Sequence, residues 1–163
     1  PAETGALIDF IVARCHERHR ADLPGLIALA VEVEAAAGGR ADAPCGLADL
    51  LDGLRAGLEE HMLKEELRVF PLMRAARRDL LAHPLALMRA EHEDNAEFLL
   101  RAEHLTRGFR PPAGAGPAWE RLCAELARFQ EDLVAHVFLE ERALFPRFEA
   151  DEPDQSTRRP QRS

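Results

Sequence analysis

The sequence predicts an all-α protein and, more narrowly, an antiparallel up-down four-helix bundle. Strong helix formers, chiefly Ala, Leu, Glu and Arg, fill most of the 163 residues. No alternation of Val, Ile or Thr with polar residues is long enough to indicate a strand. Breaks that contain glycine or proline divide the chain into four helical segments, and short links between four helices favour an antiparallel bundle.

The first three predicted helices are delimited by glycine and proline residues. They cover residues 6–37, 46–76 and 84–106. The first helix ends at Gly38-Gly39 and contains Pro24, which predicts a kink or a split at that point. The third helix stops before Gly108 and the loop 111–117, which is rich in proline and glycine.

The fourth predicted helix, residues 118–148, has the clearest periodicity. Its apolar residues recur at intervals of three, four or seven, at Leu122, Leu126, Phe129, Leu133, Val137 and Leu144. Residues 151–163 are polar and contain proline, which predicts a disordered tail. We therefore expect residues 1–150 to form one bundle domain, a size that can bury a substantial core.

Composition and charge limit the classes of partner. The net charge of −8 predicts that the protein binds neither nucleic acid nor anionic lipid. No apolar run approaches the roughly 20 residues that a membrane-spanning helix needs, and no signal peptide is visible. Cys15, Cys45 and Cys123 lack the spacing of a metal or redox pair, so we expect reduced thiols in a cytoplasmic protein, with Cys15 as a small buried hydrophobe.

A repeated pattern carries the chemical prediction. Residues 61–71 and 136–146 both read His-x3-Glu-Glu-x3-Phe-Pro. His16 precedes His61, and His92 precedes His136, at almost the same separation along the chain. The chain therefore consists of two helix pairs, each with one histidine on its first helix and a His-x3-Glu motif on its second.

This spacing predicts a centre with two metal ions. Residues four apart share one helix face, with Cβ atoms about 5–6 Å apart, so the histidine can bind one ion while the glutamate reaches between two. Packing the two pairs together brings six candidate ligands into one bundle: His16, His61, Glu65, His92, His136 and Glu140. Imidazole with carboxylate suits iron or manganese, and zinc is also compatible. Duplication for packing alone would repeat apolar residues, not His and Glu on the inner face.

The remaining candidates are predicted to lie outside the centre. Glu66 and Glu141 follow the bridging glutamates and are expected to be solvated, off the site face. His83 and His104 are expected to be uninvolved. His19 lies one turn after the first predicted ligand and could support a ligand, but we expect it to be exposed.

The order His … His-x3-Glu … His … His-x3-Glu resembles the hemerythrin-like (HHE cation-binding) domain over about residues 8–148. The stretches most similar to the repair-of-iron-centres family are Cys15-His16-Glu17-Arg18-His19-Arg20, residues 61–71 and Glu91-His92-Glu93. The resemblance implies two iron ions with an oxo or hydroxo bridge, held by the same six residues. It also implies nitric oxide binding and a link to nitrosative and oxidative stress and to the restoration of damaged iron–sulfur proteins.

Two positions depart from the related families. Ala37 replaces a histidine that members of the repair family tend to have, and it would lie roughly 31 Å from His16 on an unbroken helix. Ala96 replaces the second third-helix histidine of the oxygen carriers. Fewer histidines imply an open position on each iron, which favours reactivity over reversible dioxygen carriage.

Four functional hypotheses remain open at this stage. The first is a non-haem di-iron protein that binds nitric oxide, dioxygen or peroxide in stress response or iron–sulfur cluster repair. The second is a di-iron enzyme with peroxidase, catalase-like or nitric-oxide reductase turnover. The third is an iron or oxygen sensor, or an iron store, that acts through a partner, and the fourth is a metal-free bundle. The first three share one site and differ in rates and partners, and the family phrases favour the first.

Overall fold

The computed structural model describes residues 2–149, and within that range it contains helices and no strand. Four long helical rods cover residues 2–36, 47–74, 82–105 and 117–147. The first rod packs against the second and the fourth, and the second packs against the third. The predicted all-α four-helix fold is confirmed. The predicted tail, residues 151–163, lies outside the described residues.

Three of the four rods join helical segments of different type. The first contains α1 (Ala2–Phe10), a π-helical segment (Ile11–His16) and α2 (Glu17–Ala36); the second contains α3 (Leu47–Lys64), a π-helical segment (Glu65–Val69) and α4 (Phe70–Arg74). A 3₁₀ turn (Arg78–Leu80) precedes the third rod, which is α5 (Ala82–Leu105). The fourth contains α6 (Pro117–Leu139), a π-helical segment (Glu140–Leu144) and a 3₁₀ turn (Phe145–Arg147).

Proline and glycine explain most of the helix ends. Pro117 occupies the first turn of α6, where its missing N–H leaves no hydrogen bond unmade. Gly39 (φ +79°) and Gly108 (φ +79°) adopt the left-handed conformation beyond the ends of the first and third rods. Pro24 does not split its helix, because α2 runs through it without interruption. The change of helical type instead occurs one segment earlier, at Ile11–His16.

Two apolar clusters occupy opposite ends of the bundle. The larger contains, among others, Leu26, Leu51, Leu54, Leu58, Leu122, Leu126 and Phe129. The smaller contains, among others, Ile8, Ile11, Phe70, Leu85, Leu144 and Phe145. Along each rod the buried polar residues lie at the boundary between the two clusters, so the polar centre is enclosed at both ends by apolar side chains. Within the part of the chain that is described, none of the helices combines the length and apolarity needed to cross a bilayer.

Candidate metal centre

The six side chains predicted as metal ligands converge between the two apolar clusters, and each is at most 6% exposed. They form two groups of four whose donor atoms all lie within 4.8 Å of one another. The first group contains His16, Glu65, His136 and Glu140, and the second contains His61, Glu65, His92 and Glu140. Both glutamates belong to both groups. The geometry is therefore that of two ion positions side by side with two shared carboxylates.

Glu140 lies between a histidine of each group. Its Oε1 is 3.0 Å from His136 Nε2, and its Oε2 is 3.0 Å from His92 Nε2. Glu65 likewise lies between the other two histidines, one from each group. Its Oε2 is 3.3 Å from His16 Nε2 and 3.5 Å from His61 Nε2. Each group thus takes one histidine from each half of the internal repeat, a pairing across the halves that the repeat alone does not specify.

Unpartnered atoms test whether the residues fit a metal. His16 Nε2, His61 Nε2 and both carboxylate oxygens of Glu65 are buried without a hydrogen-bond partner. Each such atom costs about 1–3 kcal/mol unless something satisfies it. A cation would accept lone pairs from all four, and imidazole nitrogen with carboxylate oxygen is a donor set that divalent transition metals prefer. The residues therefore fit a pair of divalent ions, and the cluster is a candidate metal-binding site.

The electrostatics of the cluster point the same way. Burial, followed by repulsion from Glu140, raises the pKa of Glu65 well above its ordinary value. Burial also opposes ionisation of Glu140, but His136 and His92 hold its pKa well below the ordinary value. Burial lowers the pKa of His61 to about 4, so this imidazole is neutral and its nitrogen lone pair is free to bind metal. Both carboxyl groups of this buried pair can be ionised together only when positive charge lies between them.

Three of the four histidines are supported from behind by a carboxylate. The pairs are His16 Nδ1 with Glu66 Oε1 (2.7 Å), His61 Nδ1 with Glu91 Oε2 (3.0 Å) and His92 Nδ1 with Glu141 Oε1 (2.9 Å). When Nε2 faces a metal, Nδ1 carries the proton and donates it in this hydrogen bond. Such carboxylates fix the ring orientation and increase the basicity of the ligand.

Each supporting carboxylate is itself paired with a cation. Arg20 Nη1 donates to Glu66 (2.9 Å), Arg89 Nε donates to Glu141 (2.8 Å), and Lys64 Nζ donates to Glu91. Burial opposes ionisation of Glu66, but Arg20 and then His16 hold its pKa below the ordinary value. The centre is therefore surrounded by three ion pairs that hold the outer carboxylates in place.

The expectation that Glu66 and Glu141 are solvated and off the site face is wrong. The π-helical segments begin at Glu65 and at Glu140, and a π-helical turn contains one residue more than an α-helical turn. Successive residues are therefore rotated less around the axis, and the second glutamate of each Glu-Glu pair stays near the centre. The Glu-Glu pair occurs in both motifs, and this repetition is the sequence signal that could have predicted a role for the second glutamate. Glu91 was not singled out, although it adjoins His92 in a stretch that carried the family resemblance.

His19 is buried, at 1% exposure, so the expectation that it is exposed is wrong. Its Nε2 is 3.2 Å from His136 Nδ1, and its ring packs edge-on against Phe129. Burial, followed by repulsion from His136, lowers the pKa of His19 to about 3, and it stays neutral. His19 lies three residues after His16 and therefore on the same helix face. This spacing is the sequence signal for the alternative prediction, that His19 supports a ligand.

The other predicted positions lie away from the centre. His83 and His104 are exposed, the former in the first turn of α5 and not in a loop. Ala37 is buried in the larger apolar cluster, and Ala96 is exposed. Cys15 is half-buried; burial and then the charge of Glu140 raise its pKa to about 11, which favours the thiol over a metal-binding thiolate.

The aromatic residues of the repeat cover the centre at one end. The ring of Phe70 stacks on His16, with centroids 5.8 Å apart, and the ring of Phe145 stacks on His92, with centroids 5.9 Å apart. These equivalent contacts in the two halves show that the sequence repeat produces a pseudo-twofold arrangement.

Comparisons with known proteins place this geometry in context. A family model described as the hemerythrin HHE cation binding domain matches residues 7–148. The chain is 42% identical over 141 residues to the iron-sulfur cluster repair protein YtfE of Edwardsiella ictaluri, which covers 86% of this chain and 64% of that protein. It is 38% identical over 148 residues to YtfE of an Enterobacter species, with 91% and 67% covered.

A third relative is a probable iron-sulfur cluster repair protein of Haemophilus influenzae. It is 36% identical over 146 residues, which cover 90% of this chain and 66% of the relative. The chain thus spans about two thirds of the length of these relatives, and slightly less than that of the first.

Proposed function

The chain belongs to the hemerythrin HHE cation-binding domain family, and on that premise we propose that it is a non-haem di-iron protein that acts in the repair of iron–sulfur clusters. The observation that carries the proposal is the buried double group of histidines with two shared glutamates. The names of the relatives supply the process, since two are called iron-sulfur cluster repair proteins and the third a probable one. Damaged iron–sulfur proteins are then the partners, and the bundle of residues 1–150 is the domain that acts on them.

Six residues would hold the two irons. One position would be bound by His16 and His136, the other by His61 and His92, with Glu65 and Glu140 shared. The donor set supports iron: structural zinc sites favour closed tetrahedral cages rich in thiolate, whereas these groups offer only imidazole and carboxylate. Bound as a pair, the irons would supply redox-active Lewis acids able to bind nitric oxide, dioxygen or peroxide.

The protein side chains prepare the site for this chemistry. With metal bound, the imidazoles would present their Nε2 lone pairs inward, while Glu66, Glu91 and Glu141 hold the Nδ1 protons of His16, His61 and His92 on the outer side. Phe70 and Phe145, together with the two apolar clusters, keep water away from the ends of the centre. A small uncharged molecule such as nitric oxide suits this enclosed setting better than a large substrate does.

Metal analysis tests the di-iron centre. The full chain, reconstituted anaerobically with ferrous iron, should contain two irons, and its near-ultraviolet and visible absorption should change on addition of nitric oxide. Glu140→Ala should lose at least one iron, because a shared ligand is gone. Glu131→Ala removes an exposed glutamate from the same rod and should keep both irons. Two irons with an unchanged spectrum in Glu140→Ala would refute the ligand assignment.

A repair assay tests the process. An iron–sulfur enzyme inactivated by nitric oxide or peroxide should regain activity with the iron-loaded wild-type protein and not with Glu140→Ala. If the iron-loaded protein restores nothing, the repair proposal fails while the di-iron centre stands. Multiple turnovers of peroxide or nitric oxide per centre would then favour the enzyme hypothesis.

A further inference from the structure

The four histidines of the centre are not supported alike. His16, His61 and His92 each have a carboxylate at Nδ1. The Nδ1 of His136 instead faces His19 Nε2 at 3.2 Å. Among the described residues no carboxylate forms a hydrogen bond with His136 Nδ1 or with His19, so a neutral imidazole stands where the other ligands have an anion.

The internal repeat locates the difference. Glu91, which supports His61, is the residue immediately before His92. The equivalent residue of the first half, immediately before His16, is Cys15. A thiol thus occupies the position that holds the supporting carboxylate in the second half, and the first half supplies His19 from the next turn of the helix.

The direction of the hydrogen bond follows from metal binding at Nε2. His136 then carries its proton on Nδ1 and donates it to His19 Nε2, which places the remaining His19 proton on Nδ1. That atom is buried and has no hydrogen-bond partner. His19 is therefore held by a single hydrogen bond and by the Phe129 ring, and as a neutral acceptor it gives His136 less basicity than a carboxylate would.

We propose that His19 is a positioning residue that orients His136 and makes the two metal positions unequal, so that the position bound by His16 and His136 holds its ion more weakly than the position bound by His61 and His92. Both histidines of the tighter position have carboxylate support, whereas only His16 has it in the weaker one. The inference rests on the proposed two-metal centre. The weaker position, bound by His16 and His136, is then the one that loses its ion first.

Cobalt titration of the metal-free full chain tests the inequality. Calorimetry combined with the visible absorption of bound Co²⁺ should resolve two steps of different affinity. His19→Leu removes the acceptor and should weaken only the weaker step, by about 10- to 100-fold, the usual cost of losing such a supporting contact. His19→Gln keeps an acceptor oxygen and should stay within a few-fold of wild type. Glu91→Gln is the matched variant, and it should weaken only the tighter step.

Stability separates positioning from a purely structural role. Metal-free His19→Leu should have an unfolding free energy close to that of wild type, because the substitution removes the unpartnered Nδ1 of His19 but leaves His136 Nδ1 without its partner. If the leucine protein does not fold, His19→Asn replaces it as the test variant. Its shorter side chain does not reach His136, so it should weaken the weaker binding step to the same extent.

The outcomes of these titrations separate the inequality of the two positions from the proposed function. Two steps of equal affinity in wild type would overturn the inference and leave the proposed function intact, because equal positions can still hold iron. The inference is also overturned if His19→Leu binds like wild type or weakens both steps alike. Uptake of fewer than two Co²⁺ ions would overturn both proposals. Two unequal steps in a protein that restores no damaged cluster would support this inference and refute the repair function.

Discussion

Replacing Glu65 with leucine should stabilise the metal-free protein while destroying the paired metal centre. Both carboxylate oxygens of Glu65 are buried and unpartnered, and the side chain is fully enclosed. Two such atoms cost about 2–6 kcal/mol together, at roughly 1–3 kcal/mol each. The lower end of this range applies, because burial and repulsion from Glu140 raise the pKa of Glu65, and the neutral carboxyl that this favours without metal can donate a hydrogen bond to Glu140.

The expected gain for Glu65→Leu is therefore about 2 kcal/mol in the free energy of unfolding. For a chain of this size that corresponds to a rise in Tm of roughly 4–8 °C. Urea and thermal denaturation of the metal-free proteins measure it, with Glu93→Leu, an exposed glutamate on α5, as the control. A loss of stability in metal-free Glu65→Leu would refute the reasoning, since it would mean that the glutamate is satisfied without a metal.

Three further variants and the addition of metal give four other predictions. His92→Ala should lose at least one iron by metal analysis, whereas His104→Ala, an exposed histidine on the same helix, should keep both. Glu141→Gln should lower metal affinity by about 10- to 100-fold in a Co²⁺ titration while the circular dichroism spectrum stays unchanged. Leu126→Ala in the larger apolar cluster should cost about 2–5 kcal/mol of unfolding free energy in urea but leave two irons per chain. Adding metal at about 100 times its dissociation constant should stabilise the wild type by about 2.7 kcal/mol per site, seen as a higher Tm.

Spacing along the sequence was enough to predict the inner face of the bundle. His61 and Glu65 share a helix face because they lie four residues apart, and the structure brings both to the centre with their repeat partners. The four helix segments were also predictable, since glycine and proline terminate helices through local conformational preferences. Both kinds of inference depend on residues close together in the chain.

The surroundings of the centre depend on contacts that spacing does not reveal. An α-helical wheel turns Glu66 and Glu141 further from the site, and the π-helical segments, which rotate successive residues less, keep them near it. Glu91 supports a histidine on a different helix, and His19 reaches His136 across the bundle. Such pairings are set by how the rods pack, and neither composition nor periodicity specifies that packing.

The contribution of the last rod to both groups of candidate ligands also sets an order of events during synthesis. Residues 2–105 contain the first three rods but neither His136 nor Glu140. Each ion position needs at least one residue of the fourth rod, so a nascent chain that lacks α6 and the π-helical segment after it has no complete position. If these groups hold metal as proposed, an ion reaches its full coordination only after the last helix has left the ribosome and docked, which makes loading a late step.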